Sequence, residues 1–147
     1  MPRYSERTER EWIDLFEPFE STTSQDEIYN ACAVISRIAD DGRAYFKNDP
    51  QAGVRWERGC NDLSRLVSSF TSRLQVEKTD FAELLWEFMR EFSHTEKRLH
   101  QLLYCDAISQ NQRVYFIREV WDWFSIALRF AVRGALLAHK GKDKNTV

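Results

Sequence analysis

Two side-chain spacings in the chain could support chemistry, and the first would bind a metal ion. Glu91 and His94 stand three residues apart, so a helix would place both side chains on one face, as helical di-iron sites require. Such sites need a second pair of this kind and two further glutamates, and the chain has no second pair. We therefore expect a solvated acidic face of Glu83, Glu87 and Glu91, with no metal and no cofactor.

The second spacing separates Arg133 from His139 by five residues. It is similar to the Arg-x(4–6)-His signature of the helical HEPN ribonucleases, which implies RNA cleavage as a remote alternative. A polar residue usually follows the arginine of that signature, whereas Gly134 follows it here. A basic helix C-terminus that complements the helix dipole explains the same residues. Because the chain also lacks a glycine-rich phosphate loop and a Ser/His/Asp arrangement, we expect a protein that is not an enzyme.

The charge balance and the cysteines limit the partners and the compartment. The 147 residues carry 21 Lys and Arg against 23 Asp and Glu, a net charge of −2. Nucleic-acid binding needs a clustered basic face, so we expect no nucleic-acid partner. Cys32, Cys60 and Cys105 are odd in number and each lies in a helical apolar pattern, which favours buried thiols in a reducing compartment. With no apolar run at the N-terminus, we expect a cytoplasmic, intracellular protein.

The apolar pattern predicts an all-α fold. Apolar residues recur with a helical period, no segment alternates as a strand does, and the chain has only five Gly and three Pro. We expect one domain over residues 1–147, a compact bundle of about five helices with a flexible polar tail from about residue 140. The first expected helix carries Trp12, and the second begins at a Ser24–Glu27 capping box. The third begins at Asp49-Pro50 and has a buried seam of Trp56, Cys60, Leu63, Val67, Phe70 and Leu74. The fourth begins after Thr79, and the fifth runs roughly from Asn111 to His139.

The last of these helices is apolar over most of its circumference. Its polar residues fall within roughly 80° of one another at helical geometry. A helix on the outside of a bundle needs an apolar face only about 100° wide, so this helix is either central or has a second face covered by a partner. Charged side chains at bilayer depth are costly, which argues against a membrane span. The polar stripe consists of Arg118, Asp122, Ser125, Arg129 and Arg133.

The two apolar sides of this helix predict two different roles. Trp121 shares a seam with Ile117, Phe124 and Leu128, so we expect it to pack in the core. The other side should bind an amphipathic helix of a partner protein or a second copy of the chain, unless the arginines are only the solvated edge of a bundle helix. The expected partner-binding residues are Trp123, Phe116, Phe130, Arg118, Arg129 and Arg133.

Two segments resemble motifs of the Bcl-2 family of apoptosis regulators. Phe116-Ile-Arg-Glu-Val-Trp-Asp-Trp-Phe124 is similar to the second homology motif, Trp-Ile-x-x-x-Gly-Gly-Trp-Asp-x-Phe, without its glycines. Upstream, Ile35-Ser-Arg-Ile-Ala-Asp-Asp41 is similar to the third motif, with Ile35 in place of the usual Leu. The family's Asn-Trp-Gly-Arg motif is missing, a divergence typical of virus-encoded members. The motif-like residues are Ile35, Ile38, Asp40, Trp121, Asp122 and Phe124.

The resemblance implies a function and a site. Members of the family bind an amphipathic helix in an apolar groove, and an arginine at the rim pairs with an aspartate of the ligand. Arg118, Arg129 or Arg133 would supply that arginine here. The alternative that the sequence leaves open is a self-associating adaptor, such as a viral or phage accessory protein, whose last helix forms a homodimer interface.

Overall fold

The computed structural model describes residues 23–76, 80–105 and 108–144, and in these ranges it contains four helices and no strand. They are α1 (Ser24–Tyr45), α2 (Pro50–Val76), α3 (Phe81–Leu102) and α4 (Gln110–Lys144). The all-α class is confirmed. The count is four instead of about five, and the expected helix that carries Trp12 lies outside the described residues. α4 continues past the point where we expected a flexible tail.

Side chains at the N-caps set the helix starts. Thr23 and Asp26 form the capping box of α1, in which Asp26 N donates to Thr23 Oγ1 at 3.1 Å. The prediction of a Ser24–Glu27 box was therefore wrong by one residue, because Glu27 is turned into the protein interior. Asp49 accepts a hydrogen bond from the backbone N–H three residues further on, so the predicted start of α2 is confirmed.

The four helices pack as an up-down-up-down bundle. Consecutive helices run antiparallel, and α1 closes the bundle against α4. α3 and α4 approach each other less closely than the other neighbours do, because large rings fill the seam between them. The contacts that establish this order are Tyr45–Phe116 and Glu27–Arg133 between α1 and α4, Phe70–Phe88 between α2 and α3, and Phe81–His139 between α3 and α4.

Trp56 is the centre of the core at one end of the bundle. Its side chain is fully buried, and its indole N–H donates to the Ile38 carbonyl at 3.0 Å. It also contacts Phe116 of α4, with ring centroids 5.5 Å apart. A Cβ atom at Gly42 would lie 1.9 Å from Trp56 Nε1, so only glycine leaves room for this indole on α1. Gly42 thus admits the tryptophan instead of interrupting the helix.

From Ala127 to His139 most residues of α4 are buried or half-buried, and most of the inward-facing ones are small. A Cβ at Gly134 would lie 3.0 Å from Ile28 Cδ1, so glycine allows α1 to approach closely. No helix within the described ranges is both long and apolar enough to cross a bilayer. The expectation of a largely buried, aromatic-rich last helix therefore holds in part, since the rings lie mainly in the half with an exposed side. The buried residues are Ala127, Leu128, Ala131, Val132, Ala135, Leu136 and Ala138.

The three cysteines are free thiols with different environments. Cys60 is buried between helices, and burial raises the pKa of its thiol to about 12. Cys32 and Cys105 are only half-buried. The prediction of buried thiols is therefore confirmed for Cys60 and wrong for the other two.

Candidate interaction surface

The N-terminal half of α4 has a buried side and an exposed side. Phe116, Val120 and Phe124 follow one another at intervals of four residues and lie in the core. On the opposite side Tyr115 is 63% exposed and Trp121 is 41% exposed. Tryptophan is highly buried on average, so an accessible indole beside an accessible tyrosine ring is a notable feature. The exposed residues, which we call the outer face, are Val114, Tyr115, Arg118, Trp121 and Asp122.

The prediction that Trp121 packs in the core was wrong. Leu128 occupies nearly the same angular position two turns later and is fully buried. α3 ends at Leu102, two residues after His100, and the His100 ring packs against this indole, which stays 41% exposed. A seam assigned from spacing alone cannot show where the neighbouring helix ends.

The aromatic residues expected to bind a partner are largely engaged inside the bundle. Phe116 is fully buried and stacks on Tyr45, with ring centroids 4.0 Å apart, so its assignment to the partner-binding set was wrong. Trp123 is half-buried, and the Arg37 guanidinium of α1 lies 4.7 Å from its ring centroid. Phe130 is half-buried against the core. Trp123 and Phe130 therefore belong mainly to the packing around the core.

The three arginines of the polar stripe lie in two different environments. Arg118 and Arg129 are exposed, and Arg118 lies on the outer face. The Arg133 side chain is only 13% exposed, and its Nη1 lies 3.3 Å from Glu27 Oε1 of α1. Arg133 is therefore a structural residue, and its assignment to the partner-binding set was wrong. Sequence reasoning missed this pair because Glu27 and Arg133 are distant in the chain.

His100 forms the floor beneath Trp121. The two rings meet edge to face, with centroids 5.4 Å apart and an interplanar angle of 78°. Burial lowers the pKa of His100 below its usual value, so the imidazole is neutral at pH 7. Glu96 Oε1 lies 3.9 Å from His100 Nε2, and this contact is not an ion pair while the ring is neutral. His100 therefore supports the indole from the protein side. The spacing of four residues between Glu96 and His100 was the sequence signal for the contact between these two side chains.

The loop between α3 and α4 is organised by Arg113. Its Nε donates to the Leu103 carbonyl at 2.6 Å, and its Nη2 donates to the Ile108 carbonyl at 3.2 Å. The same guanidinium lies 5.0 Å from the ring centroid of Tyr104, an exposed aromatic residue of the loop between α3 and α4. Arg113 thus ties the start of α4 to the end of α3 and holds a further ring at this end of the bundle.

The two Bcl-2-like segments lie on neighbouring antiparallel helices, α1 and α4. Their residues divide between the core and the surface, with Asp40 exposed and ion-paired to Arg43 at 2.8 Å. The resemblance implied an apolar groove beside the last helix. Three clefts among the described residues lie between α2 and α3 and between α1 and α2. Ile35, Ile38 and Phe124 are buried, whereas Trp121 and Asp122 are on the outer face.

Arg133 and His139, the pair with the ribonuclease-like spacing, contact different residues in the bundle. Arg133 faces Glu27 of α1, whereas His139 packs against Phe81 of α3, with ring centroids 5.0 Å apart. The two side chains therefore engage different helices. Among the residues that the structure describes, no three His, Cys, Asp or Glu side chains form a group that could hold a metal ion.

In comparisons with protein-family models, with curated proteins and with solved structures, nothing matches the chain. Function is therefore inferred from the geometry of the described residues.

Proposed function

We propose that the chain is a non-catalytic protein-interaction module, and that the outer face of α4 receives an amphipathic helix of a partner protein. The observation that carries this proposal is the exposure of Trp121 and Tyr115 on one face together with Arg118. Trp, Tyr and Arg are the residues most enriched among the side chains that dominate binding energy at protein interfaces.

The dimensions of the face favour a helical ligand. Val114 and Trp121 stand seven residues apart, about 10 Å along the axis of α4, which is two helical turns. A partner helix lying along this face would present apolar side chains at the same intervals of three, four and seven residues. Arg118 lies between the apolar positions and would pair with an aspartate or glutamate of the ligand.

The support beneath the face also favours binding. Trp121 lies against His100, and Arg113 fixes the start of α4 to the preceding loop. A tryptophan ring held in this way loses little side-chain freedom when a ligand docks, so less of the interaction free energy is spent on ordering it.

A Bcl-2-like regulator that binds partner helices and thereby modulates apoptosis is the finer form of this proposal. Its support is the resemblance of the segments 35–41 and 116–124 to two motifs of that family. In this form Arg118 is the arginine that pairs with the aspartate of the ligand helix.

A second copy of the chain is the second candidate for the occupant. Arg118 and Asp122 are exposed one turn apart on the outer face. If two α4 helices packed antiparallel about an axis between these positions, Arg118 of each copy would face Asp122 of the other. The outer face thus carries a self-complementary charge pair.

Selection of amphipathic helices from a displayed library on the folded chain would test the first candidate. We expect the selected helices to share an acidic residue, and Arg118→Glu to weaken their binding by about tenfold or more. Arg90→Glu is the matched control, because Arg90 is an exposed arginine on α3. Equal binding to both variants would contradict the proposal.

Light scattering over a range of protein concentrations separates the two candidates. If the chain is a monomer, the result supports a partner helix as the occupant of the outer face. A dimer that is weakened by Arg118→Asp and by Asp122→Arg, and restored in the doubly exchanged variant, supports the second copy. A dimer that is insensitive to these changes would contradict the use of the outer face for self-association.

A further inference from the structure

A cleft with a basic rim lies between the first half of α2 and the last turns of α3, apart from the outer face. Its volume is about 260 Å³. The side chains that line it include three arginines and one aspartate around an apolar floor. The lining residues, which we call the arginine cleft, are Arg55, Arg58, Gly59, Asp62, Thr95, Arg98, Leu99 and Leu102.

The floor of the arginine cleft is apolar and fixed. Leu99 is buried, and a Cβ atom at Gly59 would lie 2.4 Å from Leu99 Cδ2. Glycine at this position therefore lets Leu99 lie directly across α2. Leu102 continues the apolar floor towards the end of α3.

The rim of the arginine cleft carries net positive charge. Arg55, Arg58 and Arg98 are exposed, and the part of the chain that the structure describes provides none of them with an ion pair. Arg98 donates to the Thr95 hydroxyl at 3.2 Å. The aspartate of the lining, Asp62, is already paired with Arg65, at 2.5 Å. Three guanidinium groups and one carboxylate that is already paired therefore line the cleft, so its rim is net positive.

We propose that the arginine cleft binds a phosphate monoester that carries a compact apolar group. Guanidinium groups match phosphate oxygens with paired hydrogen bonds, and several of them favour a group with more than one negative charge. A phosphate monoester carries about −1.5 to −2 near pH 7, whereas a carboxylate carries one charge. The volume lies below the range of about 300–1,000 Å³ typical of drug-sized ligands, so the apolar group must be small. Leu102, which is only half-buried, would contact it, with the buried Leu99 beneath.

Two sources present this chemistry, a free phosphate ester and a phosphorylated side chain of a protein. Phenyl phosphate is the probe for the first, and a short phosphotyrosine peptide is the probe for the second. Inorganic phosphate and benzoate are the controls for the apolar group and for the charge. Titrations monitored by amide NMR signals of the full chain at low salt avoid screening of exposed charges. If the peptide binds more tightly than phenyl phosphate, a protein is the source, and the reverse order indicates a free ester.

We expect saturable shifts at Gly59 and Thr95, and binding of phenyl phosphate about tenfold tighter than that of inorganic phosphate or benzoate. Arg58→Gln and Arg98→Gln should each weaken it by about tenfold. Arg90→Gln, on an exposed arginine of α3 outside the cleft, should change it by less than about twofold. Because these arginines are exposed, the variants should fold, which thermal melts would check.

The proposal would be overturned if phenyl phosphate shifted no signal in a saturable way. It would also be overturned if benzoate or inorganic phosphate bound equally well, or if Arg90→Gln lost as much affinity as Arg58→Gln. The last result would show that only the general charge of the surface attracts the anion.

Discussion

The buried pair of Glu27 and Arg133 provides the sharpest test of how α1 and α4 are held together. The Glu27 side chain is 1% exposed and that of Arg133 is 13% exposed, with 3.3 Å between Oε1 and Nη1. Glu27 lies in the first turn of α1, where a negative charge is favourable. Gly134 beside the arginine lets the two helices approach closely enough to exclude water.

Removing one partner of such a pair leaves an uncompensated buried charge. We expect Glu27→Leu and Arg133→Met each to lower the free energy of unfolding by about 3–5 kcal/mol, which corresponds to a fall in Tm of roughly 10–20 °C for a domain of this size. The double variant should recover most of this loss, because apolar side chains of similar volume often replace a buried ion pair without cost.

Urea denaturation followed by circular dichroism would measure these free energies and their coupling. Arg43→Met is the matched control, because Arg43 pairs with Asp40 and Glu57 at the surface and should cost less than about 1 kcal/mol. Single variants that cost no more than this control, with additive effects in the double variant, would refute the description of the pair as buried and coupled.

Three further predictions concern other parts of the bundle. A thiol reagent at about pH 8 should label Cys32 and Cys105 in the folded chain but Cys60 only after unfolding, since burial raises the pKa of Cys60 to about 12; equal labelling rates would contradict its burial. Burial lowers the pKa of His100 in the folded state. The contribution of its neutral imidazole to the free energy of unfolding should therefore be fully present above about pH 6.5 and be lost as the pH decreases through the folded pKa. Urea midpoints should show this loss to be smaller in His100→Gln. Arg113→Met should lower the free energy of unfolding by about 2 kcal/mol in urea titrations, because it removes donors to three loop carbonyls, and an unchanged midpoint would count against that network.

Local periodicity was sufficient to predict the helices and much of the core. The seam of α2 from Trp56 to Leu74 was predicted from spacings of three and four residues, and all six of its residues are buried. The start at Asp49-Pro50 was equally predictable, because the cap and the proline act within one turn. These features depend on residues close together in the chain.

Features that depend on distant residues could not be predicted in this way. Trp121 and Trp123 were assigned opposite roles from their seams, but their exposure depends on where α3 ends and on Arg37 of α1. The role of Gly42 becomes visible only when Trp56 is placed against it. Each of these outcomes requires knowledge of which helix lies opposite.

The charges of the candidate sites show the same limit. The net charge of −2 argued against a nucleic-acid partner for the whole chain, yet three arginines that have no ion pair among the described residues meet around the cleft between α2 and α3. The sequence contains the arginines, but their convergence follows from the antiparallel packing of two helices. Composition therefore predicts the average charge of the surface and not the charge around a particular cleft.

The central claim is that the outer face of α4 is the docking surface, and the affinity of one selected helix for two tryptophan variants tests it most directly. Trp86 of α3 is 63% exposed and lies outside the outer face, so Trp86→Ala is the matched control for Trp121→Ala. We predict that Trp121→Ala weakens binding about 30-fold, equivalent to about 2 kcal/mol, while Trp86→Ala changes it by less than about twofold. Equal affinity for the two variants, both folded, would contradict the claim.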